Sequence, residues 1–150
     1  MRSVRSWSGI AVKCSLIVAQ VGKDSQYGDS LRVKAMAFVM SVVRLKHKLV
    51  IKLKLVAPLL HWLFPIMCTL GGDEDEEDLL FDDNEANTPA AVASQVLDCM
   101  AMHIAPEKIM SPLENIIQQH LASAEESQRA AGYMAMAVVC EGCADHIMTR

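Results

Sequence analysis

Helical spacing is the property that most restricts the folds open to this chain. Apolar residues recur at i, i+3 and i+4 in six stretches, residues 8–21, 31–45, 49–70, 89–104, 107–123 and 126–140, with no strand-like alternation and no glycine-rich phosphate loop between them. Taken in pairs, these stretches repeat about every 40 residues, the period of stacked helical hairpins. Ser30 and Arg32 recur as Ser127 and Arg129, 97 residues on, at the head of the second helix of the first and third pairs. The expected fold is therefore all-α, an α-solenoid of about three hairpins spanning residues 1–150. Residues 31–45 are apolar nearly all round, so neighbours must cover that helix on most sides.

Punctuation agrees with the period. Gly22, Gly28, Asp29 and Ser30 provide a helix stop followed by a helix start. Thr88-Pro89 supplies an N-cap followed by proline at the first helical position, Pro106 opens the next helix, and Gly142 is placed as a C-terminal cap. Gly71-Gly72 ends the third helix, and from Asp73 to Glu85 nine of thirteen residues are acidic. Self-repulsion among these acids keeps such a run out of the core, so residues 73–87 are expected as a disordered acidic loop within one array. Residues 1–23 are expected as an atypical N-terminal helix.

The charge is divided as sharply as the apolar pattern is regular. A net charge of -4 conceals 11 Lys and Arg against 2 acids up to Gly72, and 3 against 16 beyond it. Such separation speaks of partners rather than of fold. The bases cluster in Arg44, Lys46, His47, Lys48, Lys52 and Lys54. That strip lacks the interleaved aromatics of a nucleic-acid surface and precedes nine acids that could pair with it, both of which argue against nucleic acid as a partner.

Other segments exclude several classes. Residues 55–70 are strongly apolar but include Pro58, His61 and Pro65 and fall short of the roughly 20 residues of a membrane span. The N-terminus, with Arg2, Arg5, Lys13 and Lys23 and no acid before Asp24, has the composition of a mitochondrial transit peptide, and that address stays open. Five irregularly spaced cysteines suit a reducing compartment. Cys140-x-x-Cys143 with His146 lacks the second ligand pair of a structural zinc site and is expected as packed thiols at a helix end. No histidine stands in a nucleophile context, so no enzyme activity, metal or cofactor is expected. Arg32 and Arg129 are expected to bond turn acids, and Trp7 and Trp62 to pack in the core or to anchor a peptide between helices.

The segment PLENIIQQHLASAEESQRAAGYMAMAVVCEGC has the pattern of a HEAT repeat. The wider order of Leu31-Arg32-Val33-Lys34-Ala35, Leu63-Phe64-Pro65-Ile66-Met67, the acidic run, Val96-Leu97-Asp98, Pro106-Glu107-Lys108, Gln128-Arg129-Ala130-Ala131-Gly132 and Asp145-His146-Ile147 resembles the importin-β (karyopherin-β) family over residues 28–150. The resemblance implies HEAT-type hairpins, an ARM-like superhelix segment, and a transport receptor from which about three internal repeats are present. It further implies basic cargo such as histones or ribosomal proteins, with Ran-GTP and nucleoporins as partners of the full-length relative, no membrane, and a place in cytoplasm and nucleus. An acidic loop in this family handles cargo or couples to Ran. Carried over, the cargo-binding residues are Asp73, Glu74, Asp75, Glu76, Glu77, Asp78, Asp82, Asp83 and Glu85. A HEAT scaffold without transport activity is the competing expectation, and a loop that neutralises the neighbouring basic strip is another.

Overall fold

The computed structural model describes residues 2–69 and 88–148, all of whose regular structure is helical. The order is α1 (Arg2–Lys23), α2 (Asp29–Lys52), α3 (Val56–Met67), α4 (Pro89–His103), α5 (Pro106–Leu121), α6 (Glu126–Gly142) and α7 (Ala144–Met148). Each odd helix packs on the even helix that follows it. α2 also lies against α4 and α4 against α6, while α1 lies against α3 and α3 against α5. This produces two layers, α1-α3-α5 and α2-α4-α6, the arrangement expected of stacked hairpins.

Local chemistry accounts for most of the boundaries. The Thr88 side chain accepts a hydrogen bond from the Ala91 amide at 3.2 Å, and Pro89 occupies the first helical position of α4. Pro106 opens α5 in the same way. Asp29 in the first turn of α2 faces the positive end of the helix dipole.

One boundary differs from the expectation. The third helix does not begin near residue 49: α2 runs on to Lys52, and α3 starts only at Val56. The break is a Schellman turn, in which the Lys54 amide donates to the Ile51 carbonyl at 3.0 Å and the Leu55 amide to the Val50 carbonyl at 3.0 Å. Lys54 fills the left-handed position, φ 56°, where glycine is usual. A lysine there carries no sequence signature of a helix end, and Pro58 reads equally well as the first turn of a new helix. α2 also bends at Lys46, whose φ of -134° leaves the helical range.

The core is continuous through both layers. From α3, Leu59, Leu60, Trp62, Leu63, Phe64, Ile66 and Met67 are buried, and from α4 Val92, Val96, Leu97 and Met100. α5 contributes Ile109, Leu113 and Ile116, as its spacing predicts. The apolar run at 55–70 is thus largely a core helix, and no helix among the described residues is long and apolar enough to cross a membrane. Coverage of α2 is less complete than its composition suggested: Phe38 and Leu45 are exposed, while Met36, Val39 and Val43 are fully buried.

Glycine performs two jobs that differ from those expected. Gly142 is the last helical residue of α6, with Cys143 as the cap. A Cβ on Gly142 would stand 2.8 Å from the Ala101 Cβ, so its missing side chain lets α4 and α6 approach closely. Gly22 lies within α1 rather than stopping it, and a Cβ there would come within 2.9 Å of the Trp62 ring.

Candidate interaction surfaces

The nine predicted acidic site residues, Asp73 to Glu85, lie outside the described residues. The flanking positions are described. α3 ends at Met67, Thr69 hydrogen-bonds back to the Ile66 carbonyl at 2.7 Å, and Thr88 starts α4. The Cys99 thiol reaches the Met40 carbonyl at 3.7 Å, and the His47 and His103 rings stand 6.4 Å apart, so α2 and α4 run parallel. Thr88 therefore lies about 16 Å up α4 from Cys99, toward the N-terminal end of α2. The twelve residues of α3 carry Thr69 about 18 Å away from the end of α2 in the same sense.

The basic strip lies among the described residues. Arg44, Lys46, Lys48, Lys52 and Lys54 are all exposed around the bend and C-terminus of α2, and none of them forms an ion pair among the described residues. His47, within the same strip, is only partly exposed and its Nδ1 is buried without a hydrogen-bond partner.

Arg32 and Arg129 act as turn fasteners, with a difference from the expected acid pairing. The Arg32 Nε donates to the Gly22 carbonyl at 3.0 Å and its guanidinium pairs with Asp29 at 3.1 Å. Arg129 instead donates to the Ser123 and Ala124 carbonyls at 3.0 and 2.7 Å, and no acid is needed. Both arginines tie the turn between the helices of a hairpin, which gives the Ser-x-Arg recurrence its physical meaning.

The cysteines divide by environment. Burial pushes the Cys99 thiol up, Asp98 adds to the rise, and nearby Arg44 opposes it. Burial likewise raises Cys143, which donates to the Ala101 carbonyl at 3.8 Å, and raises Cys68, with Glu125 adding to the rise. Cys140 is exposed rather than packed beside Cys143. No group of three potential ligands that could hold a metal ion exists among the described residues. Trp62 is buried against Gly22 and so belongs to the core rather than to a peptide site; the Trp7 side chain lies outside the described residues.

A surface that sequence reasoning missed is an apolar groove of about 450 Å³ between α5, α6 and α7, walled by Met110, Ile117, Leu121, Met136, Cys140 and Ile147. Its signal was present as the outward-facing Met136 and Cys140 of α6, but only the docking of α7 turns that face into a concavity.

Comparison with known proteins follows this architecture. No family model matches the chain. Over 139 residues it is 36% identical to importin-4 of Mus musculus and 33% identical to importin-4 of Homo sapiens, in each case covering 87% of this chain and 13% of the relative. The chain thus spans about an eighth of the length of these relatives. Among solved structures, Kap121p superposes with a TM-score of 0.79 at 23% identity over 91% of this chain, and Kap121p bound to RanGTP with 0.78 at 23% identity over 95%. Both cover only 14–15% of the solved chain, and at that identity they show the fold: a HEAT-repeat solenoid. Kap121p has also been solved bound to Nup53p and to Pho4p.

Proposed function

The chain belongs to the importin-β (karyopherin-β) family as a homologue of importin-4 over most of its length, and from that premise we propose that it is a protein-binding segment of a nuclear import receptor. Its cargo is basic, of the histone or ribosomal-protein kind, and in the full-length relative Ran-GTP releases it. The protein is shared between cytoplasm and nucleus, and its work is binding rather than catalysis.

The observation that carries this reading is the coincidence of importin homology with nine carboxylates placed between two packed helices of the array. Asp73, Glu74, Asp75, Glu76, Glu77, Asp78, Asp82, Asp83 and Glu85 attract Lys- and Arg-rich segments over a Debye length of about 8 Å at physiological salt, which raises the capture rate before close contacts form.

The test is capture of core histones by the 150-residue chain, with all nine acids replaced by Asn or Gln in a second version. Binding should be strong at low salt, fall steeply as salt rises, and weaken about tenfold or more in the neutralised chain. Equal capture by both versions would remove the acidic residues from the cargo site, and no capture at low salt would refute the proposed function of this segment.

A further inference from the structure

From Ser30 to Gly72 the sequence carries seven Lys and Arg and no Asp or Glu. Five of these cations, Arg44, Lys46, Lys48, Lys52 and Lys54, are exposed on the second half of α2 and the turn that follows it, and none of the five forms an ion pair among the described residues. Arg32, by contrast, is tied to Asp29 and to the Gly22 carbonyl. The cluster does not owe its exposure to the end of the array. Lys52 and Lys54 flank the turn joining α2 to α3, and a further hairpin stacked ahead of α1 and α2 would cover helix flanks rather than the turns along the edge. Arg44 lies toward α4, close enough for its charge to act on the Cys99 thiol, and Asp98, which acts on the same thiol, forms no ion pair with it. Like charges at this density repel one another, and an anionic partner relieves that repulsion.

We propose that this basic edge docks a flexible acidic segment of a partner protein. Charge selects an anion, and two features select that class of anion. Arg44, Lys46 and Lys48 stand two residues apart, a spacing at which helical side chains do not share a face; α2 also bends at Lys46, and Lys54 sits in the left-handed turn. The cations therefore point around the end of α2 in several directions. A nucleic-acid duplex, whose phosphates lie on one stiff surface, meets only part of such a set, whereas a flexible chain rich in Asp and Glu follows all of it. Nor can the surface stack bases: from Arg44 to Lys54 there is no Phe, Tyr, Trp, Asn, Gln, Ser or Thr, and the aromatic rings of α3, Trp62 and Phe64, are buried. What stands between the cations is apolar. Ile51 and Leu53 are half-buried beside exposed Lys52 and Lys54, which suits carboxylates interspersed with aliphatic side chains.

Fluorescence anisotropy of a labelled oligoglutamate titrated with the 150-residue chain tests this. The peptide binds at low salt and is released as salt rises, as exposed charge pairs require. Arg44→Gln, Lys48→Gln, Lys52→Gln and Lys54→Gln each weaken binding about two- to threefold, and together at least tenfold, while thermal unfolding shows the fold retained. Lys48→Arg, Lys52→Arg and Lys54→Arg, which keep the charge, keep the binding. Absence of binding at low salt would overturn the proposal, as would binding indifferent to the four glutamine replacements. Tighter binding of a single-stranded oligonucleotide of the same charge would overturn it in favour of nucleic acid. Peptide binding seen only once the nine acids from Asp73 to Glu85 are neutralised would do so in favour of the chain's own carboxylates.

Discussion

Gly142→Ala is the sharpest probe of how successive hairpins stack. An added Cβ would sit 2.8 Å from the Ala101 Cβ, with the Ala101 carbonyl carbon at 3.5 Å and the Met102 amide nitrogen at 3.7 Å. Nothing at this contact can rotate away, because Ala101 is buried and its Cβ is fixed to the α4 backbone. Ordinary carbon contact begins near 3.5 Å, so α4 and α6 must part by about 0.7 Å, and overpacking of this kind costs about 1–3 kcal/mol. Alanine recovers up to about 1 kcal/mol of helix propensity over glycine, less at the final residue of α6. The expected net loss is about 1–2 kcal/mol, or a fall in Tm of about 2–8 °C in a chain this long. Thermal unfolding followed by circular dichroism measures it. Ala101→Gly alone costs about 0.5–1 kcal/mol as a helix-interior glycine. Combined with Gly142→Ala it restores the space, so the pair should couple favourably by about 1 kcal/mol or more. A neutral or stabilising Gly142→Ala, or strict additivity in the double variant, would refute the close-approach account of this glycine.

Two further outcomes follow from the backbone and the thiols. Lys54→Gly removes the left-handed strain at the end of α2, worth about 1–2 kcal/mol, against a glycine entropy cost of about 0.5–1 kcal/mol, so urea unfolding should show a net gain of about 0.5–1 kcal/mol. At mildly alkaline pH a maleimide should modify exposed Cys140 well before Cys99 and Cys143, which burial holds in the thiol form. The same shifts set a stability trend. Because the folded thiols of Cys68, Cys99 and Cys143 ionise at higher pH than the unfolded ones, their contribution is complete below the ordinary thiol value of 9.0 and is lost as pH climbs past it. A denaturant midpoint that rose with pH in that range would contradict this.

The sequence by itself determined the class and the period. Residues such as Ile109, Leu113 and Ile116 in α5, or Val92, Val96, Leu97 and Met100 in α4, can bury a common face only as helices, because their mix of odd and even spacings would fall on both faces of a strand. Thr88-Pro89 and Pro106 fixed two helix starts, since capping and the loss of an amide are local chemistry. The acidic candidates were legible only as composition and by resemblance. What the tertiary structure decided was everything that depends on two segments meeting. The end of α2 rests on a non-glycine left-handed turn that no spacing announces, and Gly142 could be recognised as a packing residue only once Ala101 was opposite it. The α5–α7 groove exists only because α7 folds beside the outward face of α6. Periodicity records which face of a helix is apolar, but which neighbour covers that face, and how closely, is settled by packing.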